Sequence, residues 1–384
     1  MTATLARVVT LALFLCALTT LTTLSTGSAA ERVLDPSESS PLAYRQQLND
    51  MIVTIMVGAP NATGLDIAYD LAGVLDDRAT LRIVPIIGKG VAQNVRDVRF
   101  MRGVDMGLTH ANILSHFVRT GELGPNIASQ ITYVAKLFNE EVHLLARAEI
   151  KNIKELEGKR VSFGEEGSGT DITAKLILDS LNIHAQPVYV GTAEAVRQLK
   201  SGELDAAIII GGKPTPMMTA LHQGSELNLL SIPYTSELED DYYPATLSHR
   251  DYPDLVEPGE GVETVAVCAV LITFNWTKGS ERYRKVEKFV DAFFSKFQEF
   301  HKPPHHPKWR EVNFAATLET WNRSPIAQRW IDRAQRPITS QAKFDAFLRE
   351  TSALSDSQIS ATERAQLFRD FVEWSDSRQS FVDD

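Results

Sequence analysis

Residues 160–181 read RVSFGEEGSGTDITAKLILDSL, and this stretch decides the fold. It begins with a short apolar run, continues through a glycine-rich loop, and ends in a segment whose apolar side chains recur at helical spacing. A strand, a glycine-rich loop and a helix in this order are the basic unit of a parallel sheet covered by helices. The new helix points its free N–H groups and the positive end of its dipole at the loop. The turn at residues 167–170 is therefore a candidate anion site.

The same unit recurs on both sides of this stretch. Strand-like apolar runs occupy residues 51–57, 81–87, 104–108, 160–163, 187–190, 206–210 and 229–232. Helical patterns occupy residues 64–75, 91–101, 171–181 and 193–199. Apolar strands that alternate with helices predict an α/β fold, with mainly parallel sheets and helices on both faces.

Two long extended segments interrupt this alternation. Residues 131–148 contain two apolar runs with no helix between them, and residues 263–275 form another extended run. We interpret both as crossovers between two lobes. Lobe 1 comprises residues 48–140 and 235–310, lobe 2 comprises residues 141–234, and residues 311–384 form a helical C-terminal extension. Ligands of open α/β sheets bind at the carboxyl ends of the strands, so two facing lobes predict a ligand cleft.

Four loops after predicted strands supply glycine and small polar residues to this cleft, at residues 58–64, 88–90, 164–170 and 211–214. Several helix starts that face one cleft suit a carboxylate or a phosphate. Lys89 and Lys213, one in each predicted lobe, offer positive charges for an anion. Glu165 and Glu166 have the opposite sign, so a zwitterionic amino acid stays equally open.

The N-terminus has the pattern of a signal peptide. Arg7 is the only charged residue before Glu31, an apolar run follows at residues 8–18, and small residues end at Ala30. The run is shorter than the roughly 20 residues of a spanning helix. We expect residues 1–30 to be a signal peptide cleaved near Ala30, and the mature protein to be periplasmic. An uncleaved N-terminal anchor is the alternative.

Composition argues against two classes of protein. The net charge is −10 and no basic stripe is present, which is untypical of nucleic-acid-binding proteins. Only Cys268 remains after residue 30, so the mature chain cannot form an internal disulfide. Cys268 lies in an apolar run, which predicts a buried thiol. With 43% hydrophobic residues, the chain has enough apolar side chains to be stabilised by its core alone.

Residues 51–232 resemble the extracytoplasmic solute receptors of TRAP transporters of the TAXI type, which have the type II periplasmic binding protein fold. The best matches are GSGT at residues 167–170 and GTAEA at residues 191–195, with a further match, LKSGELDA, at residues 199–206. The resemblance implies a receptor that closes two lobes on a small anionic or zwitterionic solute and passes it to the membrane permease subunits of a TRAP transporter. We expect a binding protein rather than an enzyme, with no cofactor and no metal. We also expect it to be a monomer.

The binding positions of this family transfer to the loops of this chain. The ligand-binding residues that the resemblance implies are Asn61, Thr63, Gly64, Gly88, Lys89, Asn94, His110, Ser168, Gly169, Thr170, Gly212 and Lys213. The chain departs from the family pattern at residues 59–61, and both lysines replace small residues. The resemblance therefore supports the fold and the role more strongly than the identity of the solute.

Three alternatives stay open on the sequence. The same fold serves periplasmic sensors that pass their closed state to a membrane signalling protein. An enzyme would use Ser168 as the nucleophile and His110 as the base. However, Ser168 lacks the G-x-S-x-G elbow, and a serine at a helix start is more often an N-cap.

The third alternative is a metal site at His301, His305 and His306. Two prolines, Pro303 and Pro304, interrupt the helical spacing that would bring such histidines to one face, and the cluster contains no carboxylate. We therefore expect a loop with incidental histidines.

Overall fold

A computed structural model describes residues 40–58, 62–77, 79–221, 226–318, 321–335 and 367. The predicted signal peptide and Asn61 lie outside these residues. The chain divides into two compact units, residues 1–322 and 323–384. The first unit contains both lobes, and the second contains one described helix. No helix among the described residues is long and apolar enough to cross a membrane.

The described residues form ten strands in one connected sheet, together with helices and short 3₁₀ turns. The strands are β1 (Ile52–Val57), β2 (Arg82–Ile87), β3 (Met106–His110), β4 (Ile131–Arg147), β5 (Arg160–Ser162), β6 (Gln186–Val188), β7 (Ala206–Gly211), β8 (Leu227–Leu230), β9 (Tyr243–Ser248) and β10 (Gly261–Phe274). The helices are α1 (Pro41–Met51), α2 (Thr63–Leu75), α3 (Val91–Phe100), α4 (Ala111–Thr120), α5 (Ile127–Gln130), α6 (Gly169–Ser180), α7 (Thr192–Ser201), α8 (Pro216–Thr219), α9 (Glu281–Ser295) and α10 (Pro325–Gln335). The 3₁₀ turns are Ile153–Leu156, Ser236–Leu238, Phe297–His301 and Pro307–Glu311.

Each lobe contains a parallel three-stranded core, as the alternation predicts. In lobe 1 the order is β2-β1-β3, and in lobe 2 it is β7-β5-β6. A helix follows each of these strands, so every connection returns the chain to the same edge of its sheet. The carboxyl ends of the two parallel cores therefore carry six helix starts.

Strands β4 and β10 join the lobes, which confirms both predicted crossovers. They pair antiparallel with each other along most of their length. In lobe 1, β10 pairs with β3, and in lobe 2, β4 pairs with β7 and β8. The strands change lobes near Asn139 and Cys268, so these positions mark the hinge. Cys268 is fully buried there, as predicted, and burial raises the pKa of its thiol to about 12.

The return to lobe 1 occurs later than residue 235, the predicted position. Leu238 and Tyr242 pack into a core of lobe 2 that also holds Ile177 and Leu178 of α6. Strand β9, which follows, pairs with the lobe 2 end of β10. The chain therefore re-enters lobe 1 only inside β10. The sequence did not indicate this because β9 is short and half exposed, without a strong apolar run.

Local sequence explains where the helices around the cleft begin and end. The Ser168 hydroxyl accepts a hydrogen bond from the Asp171 N–H at 3.2 Å and so caps α6. Asp171 places a negative charge in the first turn, where the helix dipole favours it. At the other end of lobe 2, α7 stops at Gly202, whose φ of 79° suits glycine.

A segment after α9, which we call the strap (residues 297–318), runs back across both lobes. Its Trp309 is completely buried and donates from Nε1 to Asp70 of α2 at 2.8 Å. Its Lys308 reaches Glu141 of β4, at the hinge, at 2.9 Å. The strap ends beside the start of β4, where the Leu318 N–H contacts the Tyr133 hydroxyl at 3.4 Å. The C-terminal unit thus begins after residue 322, later than the predicted boundary at residue 311.

Candidate functional site

The two lobes meet directly at the turn that the sequence singles out. Gly169, the first residue of α6, lies against Val91, the first residue of α3 in the opposite lobe. A Cβ at Gly169 would overlap Val91 Cγ2. Only glycine therefore permits this approach of the two helix starts, and the described arrangement is a closed one.

A second contact between the lobes lies where α2 meets the end of β7. The Gly212 N–H donates to the Thr63 hydroxyl at 3.0 Å, and both groups are buried. Thr63 is the first residue of α2 in lobe 1, whereas Gly212 follows the last strand of the lobe 2 core. This hydrogen bond exists only when the lobes are together, so it contributes to closure.

Two further polar contacts cross between the lobes beside α4. Asn112 donates from Nδ2 to the Thr173 hydroxyl at 2.9 Å and to the Tyr242 hydroxyl at 3.1 Å. Arg119 forms an ion pair with Asp241 at 2.7 Å. The Asn112 cluster is buried, whereas Arg119 is half exposed, so the first contact is the stronger latch.

A cavity of about 380 Å³ remains between the lobes, at the side of α2 and α7. Its lining comes from the start of α2, the start of α7, the end of β7 and the residues that follow it. These lining residues are Ala62, Thr63, Gly191, Thr192, Ala193, Glu194, Ile209, Ile210, Gly211, Thr215 and Met217. A volume of this size accommodates a small organic molecule.

The cavity combines two helix N-termini with hydroxyl groups and an apolar wall. Neither of the N-cap residues, Ala62 and Gly191, offers a side chain that caps its helix. The first N–H groups of α2 and α7, one helix from each lobe, therefore lack side-chain caps and are oriented to serve a bound acceptor. Such a pair of helix starts favours a carboxylate or another small anion.

Two carboxylates near the cavity differ in how their charge is balanced. Glu194 is bound by Arg197 at 2.6 Å, and this hydrogen bond lowers the pKa of Glu194 to about 2. Its charge is thus neutralised by its own helix. Glu165 lies with Oε1 3.7 Å from the position that a Cβ at Gly191 would occupy. Glu165 has no ion pair among the described residues, so it leaves a negative charge beside the helix start.

Several predicted site residues hold the scaffold behind the cavity. Asn94 is completely buried, and its Nδ2 donates to the carbonyl of Leu108 at 2.7 Å. Gly88 lies beside it: a Cβ there would come within 2.6 Å of Asn94 Oδ1. Gly64 packs on Leu108 in the same way. These residues position the ends of β1, β2 and β3 rather than line the cavity.

His110 forms a buried pair at the end of β3. Its Nε2 lies 2.7 Å from Glu140 Oε2 on the crossover strand. Ser168, the other residue of the enzyme alternative, is occupied in capping α6. Among the described residues, no hydrogen bond links His110 to Ser168, so the structure does not bring these two predicted groups together.

The two predicted lysines differ in their surroundings. Lys89 is exposed and has no hydrogen bond or ion pair among the described residues. Lys213 instead donates from Nζ to the carbonyl of Thr246 and lies 3.4 Å from Asp251, both within lobe 2. The Lys213 ammonium therefore points away from the cavity, although its backbone N–H is held by Glu141.

Lys308 is a residue of the cleft region that the sequence did not indicate. It lies under Gly212, is almost completely buried, and contacts Glu141 and Glu311 at 2.9 and 2.8 Å. Burial acts to lower the pKa of Lys308, but the charge of Glu141 and the hydrogen bonds to both carboxylates outweigh it and raise the pKa. The ammonium stays charged, and its side chain packs against Gly212 and so supports the turn that follows β7.

The structure adds Gly191, Thr192 and Thr215 to the candidate site, and these residues were missing from the sequence-based set. A signal for the first two was present, because residues 187–190 predict a strand and Gly191 directly precedes a helical pattern. Of the predicted residues, Thr63 lines the cavity, and the Gly212 N–H donates a hydrogen bond to the Thr63 hydroxyl. Thr170 packs against Gly164 beside the neighbouring turn.

The predicted histidine loop is held by ordinary side-chain contacts. His305 Nδ1 lies 2.9 Å from Asp70 Oδ1, and the His306 N–H donates to Asp70 Oδ2 at 2.8 Å. His301 packs edge-on against Phe297. Within the described residues, no group of three potential metal ligands comes together.

The two-lobed α/β architecture with crossover strands, which the sequence predicts, is confirmed. The chain belongs to the NMT1-like family, whose model matches residues 71–321. This match includes the ends of all three strands of the lobe 2 core and nearly all of the cavity lining.

Solved structures that resemble this chain include two that are described as periplasmic proteins. A structure described as a periplasmic transporter has 13% identity and a TM-score of 0.47, and the match covers 79% of this chain and 98% of that one. The periplasmic binding protein BugD has 15% identity and a TM-score of 0.45, with 78% and 97% covered. Tv2483 bound to L-arginine has 10% identity and a TM-score of 0.43, with 73% and 99% covered.

Proposed function

We propose that this protein is an exported receptor that captures a small carboxylate or amino acid between its lobes. One observation carries the proposal: the cavity is lined by helix N-termini from both lobes, α2 from one and α7 from the other. A solute that binds both helix starts interacts with the closed form far more than with an open one. It therefore shifts the population towards closure.

The cavity also favours particular solutes. The helix starts and the hydroxyls of Thr63, Thr192 and Thr215 suit a carboxylate. Glu165 beside Gly191 suits an ammonium group, and Met217 supports an apolar chain. An α-amino acid or a short monocarboxylate meets these requirements best.

Delivery of the bound solute to the permease of a TRAP-type transporter completes the proposed role. The sequence motifs at residues 167–170 and 191–195 support this part of the proposal. Uptake of the solute into vesicles that contain the permease subunits should then require this receptor. Equal uptake without the receptor would contradict the transport role while leaving solute binding intact.

The binding role is tested with a panel of amino acids, mono- and dicarboxylates and phosphorylated small molecules. A compound that binds only the folded protein raises its melting temperature. The best compound is then titrated calorimetrically into Ala193→Trp, in which an indole fills the cavity from an exposed position. We expect binding to be lost with an unchanged melting temperature of the free protein.

The matched control is Lys200→Trp, which places the same side chain at an exposed position of α7 outside the cavity lining. It should bind as the wild type does. Wild-type affinity in Ala193→Trp would contradict the site. Conversion of the bound compound into a product would contradict a receptor role and favour an enzyme.

A further inference from the structure

A second and larger cavity, of about 670 Å³, lies beside the hinge and shares no lining residue with the cleft cavity. One wall is α4 of lobe 1, and the opposite wall is formed by residues 239–243 of lobe 2. Lys136 of β4 lies between them, and Leu318 and Trp321 complete the lining. The proposed function leaves this cavity without a role.

Lys136 supplies a positive charge that no carboxylate neutralises within the described part of the chain. Its ammonium donates to the Tyr243 hydroxyl at 3.0 Å and lies 4.7 Å from the centre of that ring. Burial acts to lower the pKa of Lys136, but the hydrogen bond with Tyr243 and the electrostatic effects of Cys268, Tyr243 and Tyr133 together outweigh it, so the pKa is raised. The side chain is therefore charged at neutral pH and is available to an anionic group.

The opposite wall supplies negative charge. Asp241 is paired with Arg119, but Glu239 and Asp240 are exposed and have no ion pair among the described residues. Two unpaired carboxylates and an unpaired ammonium therefore line the same cavity and give it charges of both signs. Such an arrangement matches a ligand with charges of both signs.

The lining of this cavity also offers apolar surface and one unused donor. Val118 of α4 is 49% exposed although it faces this space, and Leu318 lies on the same lining. The Trp321 indole N–H is buried and finds no acceptor among the described residues. A buried donor without an acceptor is costly, so a bound acceptor would satisfy it.

We propose that this hinge cavity is a second binding site, for a small zwitterion whose carboxylate and ammonium groups are separated by an apolar chain. The carboxylate binds Lys136, the ammonium binds Glu239 and Asp240, and the chain packs on Val118 and Leu318. Because this cavity shares no lining residue with the cleft cavity, a ligand here would bind in addition to the solute in the cleft.

The test uses three probes in calorimetric titrations of the full chain: ε-aminocaproate, hexanoate and hexylamine. They share a linear apolar chain and differ in which charged ends they carry. ε-Aminocaproate should bind at least about tenfold more tightly than either singly charged probe, because each charged end gains a hydrogen-bonded partner of opposite charge.

The variants should affect the probes in a crossed pattern. Lys136→Met should weaken ε-aminocaproate and hexanoate at least about tenfold and leave hexylamine unchanged. The double variant Glu239→Gln and Asp240→Asn, at exposed positions that do not endanger folding, should weaken ε-aminocaproate and hexylamine and leave hexanoate unchanged. Lys200→Met is the matched control, since it removes an exposed lysine outside the cavity.

Three results would overturn the second site. The first is the absence of tight ε-aminocaproate binding, and the second is its persistence at wild-type affinity in both variants. The third is a loss of ε-aminocaproate binding in Thr63→Val but not in Lys136→Met, because the probe would then occupy the cleft. In that case the second site fails while the proposed function stands.

Discussion

Thr63→Val tests how much one hydrogen bond between the lobes contributes to solute capture. The substitution keeps the volume of the side chain and removes the acceptor of the buried Gly212 N–H. In the closed form of this variant the Gly212 N–H has no acceptor at residue 63, whereas in an open form it hydrogen-bonds to water. An unsatisfied buried donor costs about 1–3 kcal/mol. The whole cost falls on the closed form.

The Kd of the best cleft solute should therefore rise about 5–150-fold, as the conversion of that free energy requires. The melting temperature of the free protein should change little, because the open form is unaffected. Calorimetric titration measures the first quantity and thermal unfolding without solute measures the second.

Thr273→Val is the matched control for this prediction. Thr273 is also buried, but its hydroxyl donates to the Asp105 carbonyl at 2.9 Å within lobe 1. It should lower the melting temperature and leave the Kd unchanged. Wild-type affinity in Thr63→Val would refute the idea that the Thr63–Gly212 contact stabilises the solute-bound form.

Three further predictions concern packing, pH and the buried ion pair. Gly169→Ala should weaken solute binding more than about tenfold, because its Cβ overlaps Val91, and adding Val91→Ala should restore much of the affinity; a neutral Gly169→Ala would contradict the tight contact. His143 is completely buried, and burial lowers its pKa to about 4. Below about pH 6.5 the unfolded state binds a proton that the folded state refuses, so stability should fall as pH drops from about 6.5 to 4, by about 3 kcal/mol in total. Urea unfolding of wild type and His143→Leu at several pH values measures this, and equal slopes would contradict it. Lys308→Met leaves Glu141 buried without its ion-pair partner and should cost about 3–5 kcal/mol of stability. Lys308→Met with Glu141→Leu should recover only part of it, because the Lys213 N–H then loses its acceptor. Equal unfolding midpoints in the single variant and wild type would count against the pair.

The sequence predicted the elements of the fold well because their signals are local. Apolar runs and helical spacing place β1 to β8 and the helices α2, α3, α6 and α7 within a few residues of their bounds, whereas α4 was not predicted. The crossovers were visible because residues 131–148 and 263–275 are long extended runs without a helix. The late return to lobe 1 was not visible, since β9 is assigned to lobe 2 only through its pairing with β10.

The site was predictable only as a set of loops. Which loops line the cavity depends on how the lobes meet: Gly191 lies on the lining, whereas Gly88 lies behind it against Asn94. The surroundings of Lys213 depend on Asp251, and the role of Lys308 depends on Glu141, in each case a partner distant in sequence. Such pairings have no local signal. The ligand-binding roles of the predicted residues stay predictions until a solute is titrated.

The distance between the lobes, with and without solute, tests the central claim most directly. Spin labels at Tyr69→Cys on α2 and Lys200→Cys on α7 occupy exposed positions in opposite lobes. Cys268 is buried with a raised thiol pKa, so it should resist labelling. Pulsed electron paramagnetic resonance should show a shorter and narrower distance distribution when the best cleft solute is added. An unchanged distribution at saturating solute would contradict capture by closure of the lobes.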